Sequence, residues 1–173
     1  MNFYTPRSIE DRISHMCTNL GLRSEAIEHV ELSPETRFKP EKLGCYLNVY
    51  TKAALDGGGF LVGWTIWDSP ENSTCIAEQH VVWTDGNSVM DITPRQDEEH
   101  LIWFLPDPRG EFEFLSVNNA PALGVFTNAQ QSTKKVAFIG PQRQARVLDP
   151  ETLERYTAAW SQLEVSQPNW LEL

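Results

Sequence analysis

The sequence predicts an α+β fold, with helices packed on a mainly antiparallel sheet. Three observations carry that expectation. Two segments with helical spacing of apolar residues come first, and they stop at Gly21 and at Gly57-Gly58-Gly59. Several β-prone segments follow, two of them flanking Asp85-Gly86, a two-residue hairpin signal. A last helix opens at Asp149-Pro150-Glu151.

Taken in order, residues 8–20 form the first helix. Ser8 is placed to cap it, with Asp11 three residues on, and Ile9, Ile13, Met16, Cys17 and Leu20 fall near one face. Gly21 ends it. Residues 22–44 read as a long polar connection. A second helix runs from Cys45 to Leu55. Strands are expected at Phe60–Trp67, Cys75–Thr84, Asn87–Ile92, Leu101–Leu105, Phe112–Val117 and Val136–Ile139. The last helix covers roughly 150–163, with Leu153, Tyr156, Ala159, Trp160 and Leu163 inward. Residues 121–148 otherwise read as loop with a strand or two.

The 173 residues suit a single domain, with an N-terminal part (1–43), a central part (44–120) and a C-terminal part (121–173). The formal charge of −10, without a basic run, makes nucleic acid and anionic membranes poor partners. No apolar run approaches the roughly 20 residues of a membrane span. The N-terminus lacks a signal-peptide pattern, so a cytoplasmic location is expected. Three cysteines, Cys17, Cys45 and Cys75, form no C-x-x-C pair, and a cysteine-based structural zinc site is not expected. No metal and no cofactor is implied. Cys17 and Cys75 read as small buried apolar residues.

Chemistry is suggested by three residues. If Asp85-Gly86 is a two-residue turn, Thr84 faces Asn87, Val82 faces Val89 and His80 faces Asp91. Directly opposed side chains share a face and can touch. An Nδ1–H···O bond from His80 to Asp91 would then fix the tautomer and raise the basicity of the other nitrogen. Cys45 follows Gly44 at the start of a helix, where the macrodipole and unpaired N–H groups favour a thiolate. The same amides can hold a developing oxyanion. Cys45, His80 and Asp91 thus compose a candidate catalytic triad. Blander readings stand beside it. His80–Asp91 also reads as a stabilising cross-strand pair, and Cys45 as a buried helix-start thiol. A Cys/His/Asp metal site including Glu78 is a third reading. Asn48, Trp64 and Glu78 are candidate substrate-binding residues. Asn48 alternatively caps local backbone, and Trp64 alternatively belongs to the core.

The segment HVVWTDGNSVMDITP resembles the His-strand, turn and Asp-strand of papain-like and transglutaminase-like cysteine enzymes. By that resemblance Cys45 matches the nucleophile, His80 the base and Asp91 the orienting acid. The ordered set GCYLNV, GGG, GWTIW, AEQHVVW, DITP and FLPDP resembles an uncharacterised bacterial family often labelled SEC-C or zinc-chelation proteins, over about residues 44–120. No cysteine follows Cys75, so the SEC-C motif is absent and the zinc label does not transfer.

The expectation is a thiol hydrolase, amidase, deamidase or acyl transferase acting on a protein or a small amide. The alternatives are an inactive binding module on the same fold and a metal-site protein. The substrate and the oligomeric state are not legible.

Overall fold

The computed structural model describes residues 2–42, 44–95, 99–109, 125–130, 136–139, 154 and 158–165, the two stretches from 125 to 139 by their backbone. The fold is α+β. Helix α1 is Asp11–Asn19, strand β1 Glu28–Glu31 and helix α2 Cys45–Asp56. Strands β2 (Gly59–Ser69), β3 (Thr74–Thr84), β4 (Val89–Met90), β5 (Leu101–Pro106), β6 (Val125–Gln130) and β7 (Val136–Ile139) follow. All named strands pair antiparallel, in the order β1-β5-β2-β3-β6-β7, with β4 also on β3.

The sheet curls back on itself. Just beyond β1, Leu32 bridges Asp91, just beyond β4. Asp91 N–H donates to the Glu31 carbonyl at 3.0 Å, and Ser33 N–H donates to the Asp91 carbonyl at 2.7 Å. Strand alternation then sorts the side chains. Val30, Val82, Ile102 and Phe104, with Leu61 and Val89 beside them, fill the inside of the curl. Both helices lie on the outer face. Ile13, Met16, Cys17 and Leu20 of α1 and its end pack on Trp64, Ile66, Cys75, Ala77, Trp103 and Leu105. Cys45, Tyr46 and Val49 of α2 pack on Val62, Val81 and Trp83. Arg12 clamps α1 to β2 through two bonds to the Asp68 carboxylate, at 2.7 and 2.6 Å.

Several local expectations need correction. Glu10, not Ser8, is the residue before α1, and no side chain caps the helix. The Ser8 hydroxyl donates instead to Glu10 Oε1 at 2.7 Å. Ile9 precedes the helix and is exposed, so the helical spacing does not apply to it. At the other end, Leu22 N–H reaches the Cys17 carbonyl and Gly21 N–H the Thr18 carbonyl, with Gly21 at φ +72°. That is a Schellman close, and it needs a residue tolerant of positive φ. The polar connection 22–44 contains β1, whose buried side chain is Val30. Strand β4 has two residues where six were expected. Phe112–Val117 and the start of the last helix lie outside the described residues. Residues 158–162 are helical, and Trp160 is fully buried against α2. Its indole N–H donates to Thr51 Oγ1 at 2.7 Å.

Gly63 makes room at the centre of the sheet. A Cβ there would stand 2.4 Å from the Leu105 carbonyl oxygen and 2.6 Å from the Phe104 ring. Both neighbours are buried and neither can retreat into solvent. Gly63→Ala is expected to cost roughly 1–3 kcal/mol or more through overpacking, read as a lowered urea midpoint with an unchanged slope.

Candidate functional site

His80 and Asp91 meet, by a different register from the one expected, and Cys45 lies near enough to bear on the imidazole. Thr84 pairs with Val89 and Trp83 with Met90, so the ladder is displaced by two residues. The cause is Asp85. Its Oδ1 accepts the N–H groups of Asn87 and Ser88, at 2.8 and 2.7 Å, and the Ser88 hydroxyl at 3.1 Å. This draws residues 85–88 into a four-residue loop. A two-residue slip preserves the face, because side chains alternate with a period of two. Asp91 therefore keeps the face of His80 and becomes its diagonal neighbour.

His80 sits in a gap in the ladders. On one edge β3 pairs with β6 along 76–78 and with β4 along 83–84. His80 lies between the two. Its Nε2 stands 3.1 Å from Asp91 Oδ2. The nitrogen facing the carboxylate is thus Nε2, where Nδ1 was expected. The Nε2 atom is closed off from solvent and its N–H is not aligned on any described acceptor. Asp91 accepts a further bond at Oδ1 from Thr93 N–H, at 2.9 Å.

Cys45 is the first residue of α2, after Gly44, which has no side chain to cap the helix. Helix starts carry N–H groups without intrahelical partners. The Cys45 sulfur lies near enough to the imidazole to favour its protonated form. Burial works against the charged imidazolium; the Asp91 carboxylate and then the Cys45 sulfur outweigh it and hold His80 well above the ordinary imidazole value. Cys17 and Cys75 have no such neighbour. Burial pushes them up to about 11 and about 12, as expected of unreactive core thiols.

The candidate substrate-binding residues fall in three places. Asn48 is fully buried and brackets the start of α2. Its Oδ1 accepts Glu41 N–H at 2.9 Å, and its Nδ2 donates to the Glu41 carbonyl at 2.9 Å and to Thr93 Oγ1 at 3.3 Å. Trp64 lies in the α1 cluster rather than with Cys45, and donates to Asp107 Oδ2 at 3.2 Å. Glu78 shares the strand face of His80 and accepts Trp67 Nε1–H at 3.0 Å. Arg95 covers the Trp67 ring at 4.2 Å. Thr93 and Thr65 were not singled out by the sequence. Thr93 has a signal in hindsight, since it follows Asp91 by two residues, the spacing at which an Asp side chain bonds backbone.

Among the described residues, no group of three or more His, Cys, Asp or Glu side chains is placed to hold a metal ion. No described helix is long and apolar enough to cross a membrane.

Removing the Asn48 amide leaves the Glu41 N–H and carbonyl without this partner. Asn48→Leu is expected to cost on the order of 1–3 kcal/mol, measured by urea denaturation. His80 also sets a pH dependence. Its folded value is raised, so its stabilising contribution is complete below the unfolded value, about 6.5. It is lost as pH rises through the folded value. The stability difference between wild type and His80→Gln should therefore shrink from pH 6 towards pH 9, roughly, as followed by urea midpoints.

Comparison with known proteins finds no matching family model, no matching curated protein and no matching solved structure. The papain-like and transglutaminase-like resemblance therefore rests on the residues of this chain.

Proposed function

We propose that the chain is a papain-like or transglutaminase-like thiol hydrolase or acyl transferase using Cys45, His80 and Asp91. The observation that carries this reading is the His80 imidazole set between the Asp91 carboxylate and a thiol at a helix start. Such a pair transfers the thiol proton to the ring, giving a thiolate beside an imidazolium. The thiolate attacks an amide or thioester carbonyl and forms a tetrahedral oxyanion. Backbone N–H groups at the start of α2 are positioned to receive that charge. The imidazolium then protonates the leaving amine or thiol as the carbon–heteroatom bond breaks. Neutral His80 next takes a proton from water, or from an acceptor nucleophile, which attacks the thioester and releases Cys45. Asp91 holds the ring in one orientation throughout.

Peptide cleavage, deamidation, amide hydrolysis and acyl transfer share these steps. The charge of −10 favours a neutral or basic substrate over an acidic one. A second reading has its own observation: Cys45 is only 3% exposed. On that reading the three residues are a closed polar cluster that supports α2 in a binding module.

Alkylation by iodoacetamide separates the two, with labelled sites mapped by mass spectrometry. The enzyme reading expects rapid labelling of Cys45 at about pH 6, slowed at least roughly tenfold by His80→Ala. Cys17 and Cys75 serve as internal controls that stay unlabelled in the folded protein. Slow labelling of Cys45 that is indifferent to His80 overturns the enzyme reading.

A further inference from the structure

Two buried polar atoms have no hydrogen-bond partner among the described residues: His80 Nε2 and Thr65 Oγ1. They belong to one patch of one strand pair. In the β2–β3 ladder Gly63 lies opposite His80, and Thr65 lies opposite Glu78. Thr65 and His80 are therefore diagonal neighbours on the same face, about 7–8 Å apart, a gap that the His80 ring and one water together span. Thr65 is 3% exposed. A valine would fill the same space without a hydroxyl to desolvate, so the buried hydroxyl calls for a polar partner.

We infer that Thr65 is a positioning residue for His80, its hydroxyl linked through one internal water to the Nε2–H that Asp91 accepts poorly. The distance from Nε2 to Asp91 is short, 3.1 Å, but the N–H is not pointed along it. The Nε2–H and the Thr65 hydroxyl make no direct bond to one another, and a hydroxyl accepts as readily as it donates. An internal water is the link, since it needs two or more polar partners and the patch supplies them. The sheet leaves the other groups around the ring already engaged. Cys45 approaches from α2 and Asp91 from beyond β4. Glu78, on the ring's own strand, is bonded to Trp67 Nε1. From the opposite strand, Gly63 presents no side chain. Thr65 is the polar side chain that remains on that side.

The inference rests on the reading of His80 as the base of the site, and its test is independent of turnover. Acceptance of an N–H bond favours the protonated ring. Thr65→Val should lower the midpoint of the His80 imidazole titration, followed by nitrogen-15 NMR, by about one unit, a tenfold change in the protonation constant. The pH dependence of Cys45 alkylation should move with it. Thr65→Ser keeps the hydroxyl and should restore both. If Thr65→Val does not fold, Thr65→Ala against Thr65→Ser gives the same comparison. A midpoint unchanged in the hydroxyl-free variant overturns the inference, as does Thr65→Ser behaving like it. If wild-type Cys45 is unreactive while the midpoint still follows the hydroxyl, the enzyme reading fails and the role of Thr65 stands.

Discussion

Asp91 is the residue on which both the fold and the site depend. Its backbone closes the curled sheet by donating to Glu31 and accepting from Ser33. Its side chain divides between Thr93 N–H and His80 Nε2. A carboxylate that is 1% exposed would be costly without partners. Here Oδ1 accepts the Thr93 N–H, and Oδ2 has the His80 ring 3.1 Å away. The closure also explains why the carboxylate can be held still: two backbone bonds fix the residue before its side chain orients anything.

From Asp91 a continuous polar chain runs to the start of α2. Asp91 holds Thr93, Thr93 accepts from Asn48, and Asn48 brackets Glu41. Asn48 sits one turn after Cys45, so the bracket fixes the helix start that carries the thiol. Buried networks of this kind act as units, because the low local dielectric strengthens each bond and penalises each loss. The residues around Cys45 and those around His80 are thus members of one network. This arrangement gives Asn48 a role in the site without contact with a substrate. Lys52, further along α2, bonds Glu35 at 3.0 Å and Asp56 at 2.7 Å and lies 4.9 Å over the Trp83 ring, tying the same helix to the segment before it and to β3.

Much of this was legible in the sequence for identifiable reasons. The start of α2 at Cys45 follows from Gly44 and the spacing behind it, and β2 and β3 follow from long β-prone runs. The meeting of His80 and Asp91 was legible even though the register was not. The hairpin expectation counted Asp85-Gly86 as a two-residue turn, but the Asp85 side chain competes for the N–H groups of Asn87 and Ser88 and lengthens the loop. The error was an even number of residues, so both side chains stayed on one face; an odd error would have parted them. Strand β1 was missed because Glu28-His29-Val30-Glu31 offers one apolar residue, and its pairing with β5 is fixed by distant sequence. Thr65 gave no signal, since a threonine in a strand is ordinary until its hydroxyl is found buried without a partner.

Burial alone does not distinguish the three thiols, since all are buried. The surroundings do. Cys17 and Cys75 pack among Ile13, Met16 and Ile66, where burial outweighs every favourable contact and keeps the thiol protonated. Cys45 is just as enclosed, yet it stands at a helix start with an imidazole held by a carboxylate beside it. In a dry setting that imidazole gains more from a neighbouring negative charge than it would in water, because the interaction scales inversely with the dielectric. On the proposed enzyme reading, a Cys45–His80 charge pair has to offset the cost of burying both charges, and the Asp91 carboxylate is the group that favours the imidazolium. On that reading the reactivity of Cys45 depends on the geometry of His80, beside an Asp91 that the closure of the sheet holds in place.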